Sequence, residues 1–103
     1  MIKDISIIGA GNLSQSLLYR IEHSKANIKI RLYDKDTKKS ILAKKSNVLF
    51  NTDIDDKISK SNIIIIAVKP NQYKDVCVNI KKHKSESSIV VSLMAGVKIK
   101  KLM

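Results

Sequence analysis

Cysteine, proline, glycine and aromatic residues are all scarce in this chain. One cysteine, Cys77, rules out an internal disulfide, which fits a reducing compartment. A lone thiol on the apolar side of a predicted helix reads as a small buried hydrophobe, not a reactive group. There is no tryptophan and one phenylalanine, against a formal net charge of +11. A nucleic-acid module of that charge would cluster arginine and interleave aromatics for base stacking. Here all but Arg20 and Arg31 of the 20 basic residues are lysine, scattered through every segment. The basic balance is therefore read as a solvated surface with some steering of phosphates, and no nucleic-acid partner is expected.

Long hydrophobic runs are also missing. The longest, Ile63 to Val68, is far too short to span a bilayer. Met1-Ile2-Lys3-Asp4 lacks the pattern of a signal peptide. A soluble, cytoplasmic protein without membrane contact is expected. His23 and His83 have no Cys or His partner at metal-ligand spacing, so no metal site is expected.

What is present is an alternation of two periodicities. Ile5 to Ile8 is a short apolar run stopped by Gly9, which reads as a buried strand. From Asn12 to Ser24, Leu13, Leu17, Leu18 and Ile21 recur at helical spacing. Ile28, Ile30 and Leu32 alternate with Lys29 and Arg31, a strand with one wetter face. A short helix is predicted over 37–45, with Ile41 and Leu42 inward and Asp36 or Thr37 as cap. Val48-Leu49-Phe50 is a third strand, and Asp53 to Lys60 one or two helical turns. Ile63 to Val68 is apolar on both faces, as in the middle of a parallel sheet, with Pro70 as its stop. Asn71 to Lys82 is a helix with Tyr73, Val76, Cys77 and Ile80 on one face, and Ile89 to Leu93 a fifth strand. Ala95-Gly96 turns the chain, and Val97 to Met103 has the pattern of the first turn of a further helix. Strands alternating with helices imply one α/β domain of Rossmann type, a doubly wound parallel sheet with helices on both faces. The apolar residues at the end imply a dinucleotide-binding domain, 1–103, that is either cut before something that covers them or part of an assembly that covers this end.

The three glycines fall where they carry information. The first strand runs into Gly9-Ala10-Gly11-Asn12-Leu13-Ser14, the G-x-G-x-x-G/A dinucleotide fingerprint with serine in third place. Gly9 permits the tight turn and Gly11 leaves room for a pyrophosphate. The third position must be small where helix meets strand, and serine there allows some widening. The phosphates are expected on the free amides of the helix behind Gly11. An acidic residue is expected at the end of the second strand, to take the adenosine ribose diol. Asp34 stands there. It favours NADH by repelling a 2′-phosphate, while Lys35, Lys38 and Lys39 offer to pair that phosphate. NADH against NADPH stays open on these residues.

Two later strings carry a resemblance. They are Ile66-Ala67-Val68-Lys69-Pro70 and Val91-Ser92-Leu93-Met94-Ala95-Gly96-Val97. Together with Gly9-Ala10-Gly11-Asn12-Leu13, the chain resembles the N-terminal NAD(P)-binding domain of pyrroline-5-carboxylate reductase, whose strings are G-x-G-N-M, A-V-K-P and S-x-A-A-G-[IV]. The resemblance implies NAD(P)H-dependent reduction of 1-pyrroline-5-carboxylate to proline. It implies that Gly9 to Leu13 hold the pyrophosphate and that Asp34 and Lys35 read the adenosine ribose. Ala67, Val68, Lys69 and Pro70 would lie by the nicotinamide ribose, and Met94 and Ala95 by the nicotinamide ring. In that family a helical C-terminal domain supplies most substrate contacts and forms the dimer. The resemblance therefore implies an incomplete, inactive piece of a homo-oligomeric enzyme that binds its small imino-acid substrate only at full length. No catalytic residue is assigned within this chain. The departures are Leu13, Ser14, Asp34 and Met94, the last bulky enough to narrow the nicotinamide pocket. The alternatives are a stand-alone, non-catalytic dinucleotide-binding module and the cofactor domain of a related NADP oxidoreductase.

Overall fold

The computed structural model describes residues 3–24, 27–44, 48–93 and the backbone of 101–102. The elements run β1 (Asp4–Ile8), α1 (Asn12–His23), β2 (Lys29–Tyr33), a 3₁₀ turn (Thr37–Ala43), β3 (Val48–Asn51), a second 3₁₀ turn (Asp56–Lys60), β4 (Ile63–Ile66), α2 (Pro70–His83), β5 (Ile89–Ser92) and β6 (Lys101–Leu102). The strands form one sheet in the order β3-β2-β1-β4-β5-β6. The first five are parallel, and β6 joins β5 antiparallel. The chain winds outward from β1 to β3, then starts again on the other side at β4. Strand order reverses between β1 and β4, where doubly wound sheets open a crevice at the carboxyl ends.

Side-chain alternation along the strands divides the core in two. Ile5, Ile7, Ile30, Leu32, Val48 and Ile65 face one side, packed with Leu18 of α1 and flanked by Leu17, Ile21 and Leu42. Ile8, Tyr33, Ile64, Ile66 and Val90 face the other, with Ile58 of the second 3₁₀ turn and Ile80 of α2. Ile64 and Ile66 are fully buried and Ile65 nearly so, as an all-apolar central strand requires when both faces are covered. Tyr73, Val76 and Cys77 pack against the second cluster, the face expected of α2.

Four expectations change. Arg31 is buried beneath the sheet's second face, not on a wet one. Its guanidinium donates through Nε and Nη2 to both oxygens of Asp4, at 3.2 and 3.1 Å. A buried arginine is tolerable when a carboxylate takes its fork in this way. Ile41 is exposed while Leu42 packs inward, because the segment winds as a 3₁₀ turn whose three residues per turn leave fewer inward positions. Pro70 does not precede α2 but begins it; its fixed φ and missing N–H suit the first helical position. Finally, Lys101–Leu102 is not helical. It pairs with Val90 and Val91 across the open edge of β5. A short pattern of apolar residues cannot separate helix from strand, and an unpaired edge offers hydrogen bonds at once where a helix must first nucleate.

Candidate dinucleotide cleft

β1 ends at the switch point, and the next residue turns sharply. Gly9 has φ +99°, and its N–H donates to the Tyr33 carbonyl at 2.7 Å. A Cβ there would overlap the Ala67 carbonyl oxygen, lie 2.9 Å from the Ala67 carbonyl carbon and 3.1 Å from Val68 Cγ1. Only glycine satisfies both the backbone angle and this approach. Gly11 is different. It is the N-cap of α1, and a Cβ on it would meet nothing within 4 Å. None of the described residues requires glycine there.

The start of α1 is electrically open. No side chain caps it and no acidic residue sits in its first turn. Its first backbone bond runs from Gln15 N–H to the Gly11 carbonyl at 3.0 Å. The amides of Asn12, Leu13 and Ser14 precede that bond and point to the dipole's positive end. Ser14 is buried, and its hydroxyl donates to the Gly9 carbonyl. The extra group in the fingerprint's third place is thus absorbed as a tie between loop and helix. The Gln15 side-chain amide adds a second tie, to the Ala10 carbonyl at 3.1 Å.

Asp34 stands immediately beyond β2 and reaches back to the same loop. Its Oδ2 accepts the Ala10 N–H at 2.7 Å and its Oδ1 the Asp36 N–H at 2.8 Å. A carboxylate has about four lone-pair positions, so each oxygen keeps capacity for a hydroxyl donor.

Gly9, Asp34, Lys35 and Val68 line one cleft of about 580 Å³ between the ends of β1, β2 and β3 and the flank of α2. Ala67 is half-buried against Gly9, while Lys69 and Pro70 stand exposed at the start of α2. Gly11, Asn12 and Leu13 are exposed on the opening turn of α1, outside the cleft's lining. Met94 and Ala95 lie outside the described residues. A broader hollow of about 840 Å³, open to solvent, runs along the outer flank of α1 from Asn12 and Gln15 to Tyr19, Arg20 and His23.

The cleft also contains residues that sequence reasoning passed over, among them Tyr33, Asp36, Asp53, Asp75 and Asn79. Asp75 and Asn79 lie one turn apart on α2, a signal legible only once the helix is docked. Tyr33 donates to Asp55 Oδ1 at 3.3 Å, and Asn51 Nδ2 holds the other oxygen of Asp55 at 2.9 Å. Burial first, then the Asp55 carboxylate, pushes the Tyr33 hydroxyl up to about 12. It is a neutral fixture of the floor. Chemically, the rim offers an uncapped helix start at α1 and free carboxylate lone pairs at Asp34. Among the described residues no group of three or more His, Cys, Asp or Glu is arranged to hold a metal ion.

The profile of the family described as NADP oxidoreductase, coenzyme F420-dependent, matches residues 4–96. Pyrroline-5-carboxylate reductase of Aquifex aeolicus (strain VF5) is 30% identical over 98 residues, which cover 95% of this chain and 36% of that protein. The enzyme of the same name from Pasteurella multocida (strain Pm70) is 31% identical over 106 residues, covering 97% of this chain and 38% of that protein. The structure of a pyrroline-5-carboxylate reductase from Coxiella burnetii superposes with a TM-score of 0.82 at 26% identity, over 95% of this chain and 37% of that one. The chain thus spans well under half the length of these relatives. Its match to the profile over nearly all its length shows that the chain belongs to the family of NADP oxidoreductases, coenzyme F420-dependent, and is related to the pyrroline-5-carboxylate reductases.

Proposed function

We propose that this chain is the NAD(P)H-binding domain of a pyrroline-5-carboxylate reductase, a cytoplasmic enzyme of proline biosynthesis. The observation that carries the reading is the pair of unlike glycines. Gly9 is demanded by the fold, whereas Gly11 is bare without any demand from the described residues, at an uncapped helix start. A diphosphate resting on Gly11, Asn12 and Leu13 meets backbone donors and the positive end of α1. Ala10 and Ser14 shape the loop that holds it. Asp34 takes the adenosine ribose hydroxyls, with Lys35 beside it. Val68 lines the same cleft as Asp34, and Ala67, Lys69 and Pro70 position the nicotinamide ribose. Met94 and Ala95 are assigned to the nicotinamide ring by resemblance alone.

The bound cofactor supplies the hydride. This chain's residues orient it and exclude water, and none of them is assigned a proton-transfer role. By resemblance to the pyrroline-5-carboxylate reductase family, the imino-acid substrate and the homo-oligomeric contacts are assigned to a helical domain outside the segment that this chain matches, and cofactor binding without turnover is the behaviour proposed for the matched segment. The family's own description favours a second reading, the cofactor domain of an NADP oxidoreductase with another substrate.

Isothermal titration with NADH tests binding. A chimera in which this chain replaces the matching segment of the Aquifex aeolicus enzyme tests the substrate. Oxidation of NADH that depends on 1-pyrroline-5-carboxylate is expected from the chimera and not from the isolated chain. A folded chimera that binds NADH but leaves pyrroline-5-carboxylate untouched favours the second reading.

A further inference from the structure

We infer that the cleft selects NAD(H) and rejects NADP(H), through a ring of carboxylates around the position of the adenosine 2′-hydroxyl. The inference rests on the dinucleotide reading above and concerns only which dinucleotide is taken. It sets the chain apart from the NADP of its family's description.

In the sequence, Asp34 argued for an unphosphorylated ribose and Lys35, Lys38 and Lys39 argued against it. The structure separates these lysines. Lys35 lines the cleft; Lys38 and Lys39 belong to the first 3₁₀ turn and do not. The other charged residues lining it are Asp34, Asp36, Asp53 and Asp75. Four carboxylates thus face one ammonium, in a chain whose net charge is +11. A lining drawn at random from this composition would be basic, so the local sign is opposite to that of the whole molecule.

Asp34 cannot turn away from an incoming phosphate. Its two oxygens are each held by a backbone N–H, from Ala10 and from Asp36. Swinging the side chain aside would break both bonds and leave the Ala10 amide without its acceptor. Two ribose hydroxyls can donate to the lone pairs that remain. A 2′-phosphate brings between one and two negative charges and no comparable donor.

The usual remedy is also missing. A guanidinium reads a phosphate with two parallel N–H donors, whereas an ammonium is a single hydrated point charge. Of the chain's two arginines, Arg31 is committed to Asp4 at the other end of the sheet. Arg20 borders the separate hollow on α1. Lys35, exposed on a flexible stem, is left alone against four carboxylates.

The test is isothermal titration of the chain with NADH and with NADPH, at low and at moderate salt. NADH is expected to bind at least about tenfold more tightly, a difference of about 1.4 kcal/mol. Asp34→Asn is expected to shrink the ratio about fivefold or more, by removing the fixed charge. Asp53→Asn with Asp75→Asn, both at exposed positions, should shrink it about two- to threefold, and so should added salt. Those two measurements decide the matter even if Asp34→Asn fails to fold. NADPH binding as tightly as NADH, or a ratio indifferent to salt and to the paired substitution, overturns the selectivity and leaves dinucleotide binding intact. If neither nucleotide binds, the dinucleotide reading falls and the selectivity falls with it.

Discussion

The two ends of the sheet use polar residues in opposite ways. At the amino end, polar groups are consumed by one another. Asp4 takes the fork of Arg31 and the hydroxyl of Ser61. Ser6 pairs with Ser61, Ser88 donates to the Ser61 carbonyl, and the Asn62 side chain accepts the N–H groups of Lys3 and Asp4. At the carboxyl end, donors and acceptors are arrayed but not used up. No side chain caps the start of α1, and Asp34 keeps spare lone pairs after holding two amides. Among the described residues no buried side-chain polar atom lacks a partner, so the openness of the carboxyl end is confined to groups that reach its surface. One end is a clamp for the fold and the other the proposed receptacle. The comparison yields sharp expectations, because substitutions at the two ends should move different observables.

The largest stability effect is expected at the closed end. Arg31→Met leaves Asp4 with only 13% of its side chain accessible and without its cation. Breaking a buried pair from one side costs about 3–5 kcal/mol. Urea denaturation should show that loss, while NADH affinity of the folded fraction stays within about twofold. Replacing both partners, as Asp4→Leu with Arg31→Met, should recover much of the loss, since the isolated buried charge is gone. A matching drop in NADH affinity would show that the two ends are not separable.

Gly9→Ala comes next, and it should strike both observables. Alanine at φ +99° is strained, and its Cβ would collide with the Ala67 backbone. A strained non-glycine residue costs about 1–3 kcal/mol before any collision is counted. Lower unfolding midpoints together with lost NADH binding are expected. A stable, binding-competent Gly9→Ala would mean that β1 and β4 can part at the switch point without cost.

Tyr33 gives a smaller effect, visible only at high pH. Its hydroxyl titrates near 12 in the folded chain against 10.0 for an ordinary tyrosine. Below pH 10 the group is protonated in both states, and its contribution is complete. As pH rises past 10 the unfolded chain releases the proton first, so stability falls until the folded chain follows near 12. Denaturation of wild type and Tyr33→Phe between pH 9.5 and 11.5 should show the steeper decline in wild type. Parallel curves would place Tyr33 in a wetter setting than the cleft floor.

Much of this was legible in the residues. Period-two alternation in Ile28 to Leu32, and the apolar runs Ile5 to Ile8 and Ile63 to Val68, mark strands because local burial dictates both patterns. Gly9 was legible because it answers to backbone geometry at its own position in the chain. What escaped depends on contacts across the chain. Arg31 looked solvated because its partner, Asp4, is 27 residues away and is brought close only by parallel pairing of β1 and β2. Asp53 and Asp75 escaped for the same reason, since a β3 loop and one flank of α2 meet only after the sheet is wound. The strand at Lys101–Leu102 escaped because its structure is decided by the open edge of β5, not by its own pattern.

Gly11→Ala has the smallest expected effect on stability, and it bears most directly on the comparison. A methyl group there meets no protein atom within 4 Å, and the residue's φ of −80° is ordinary for alanine. Exposed substitutions without lost contacts usually stay within about 0.5 kcal/mol, so the unfolding midpoint should not move. The same methyl stands where a diphosphate must approach the amides of α1, so NADH affinity should fall at least about tenfold. A closed structural turn would show neither effect or a stability loss alone. Only a surface shaped for something outside the chain loses affinity while keeping its fold, and an unaltered NADH affinity in Gly11→Ala would remove the ground for calling this end of the sheet a receptacle.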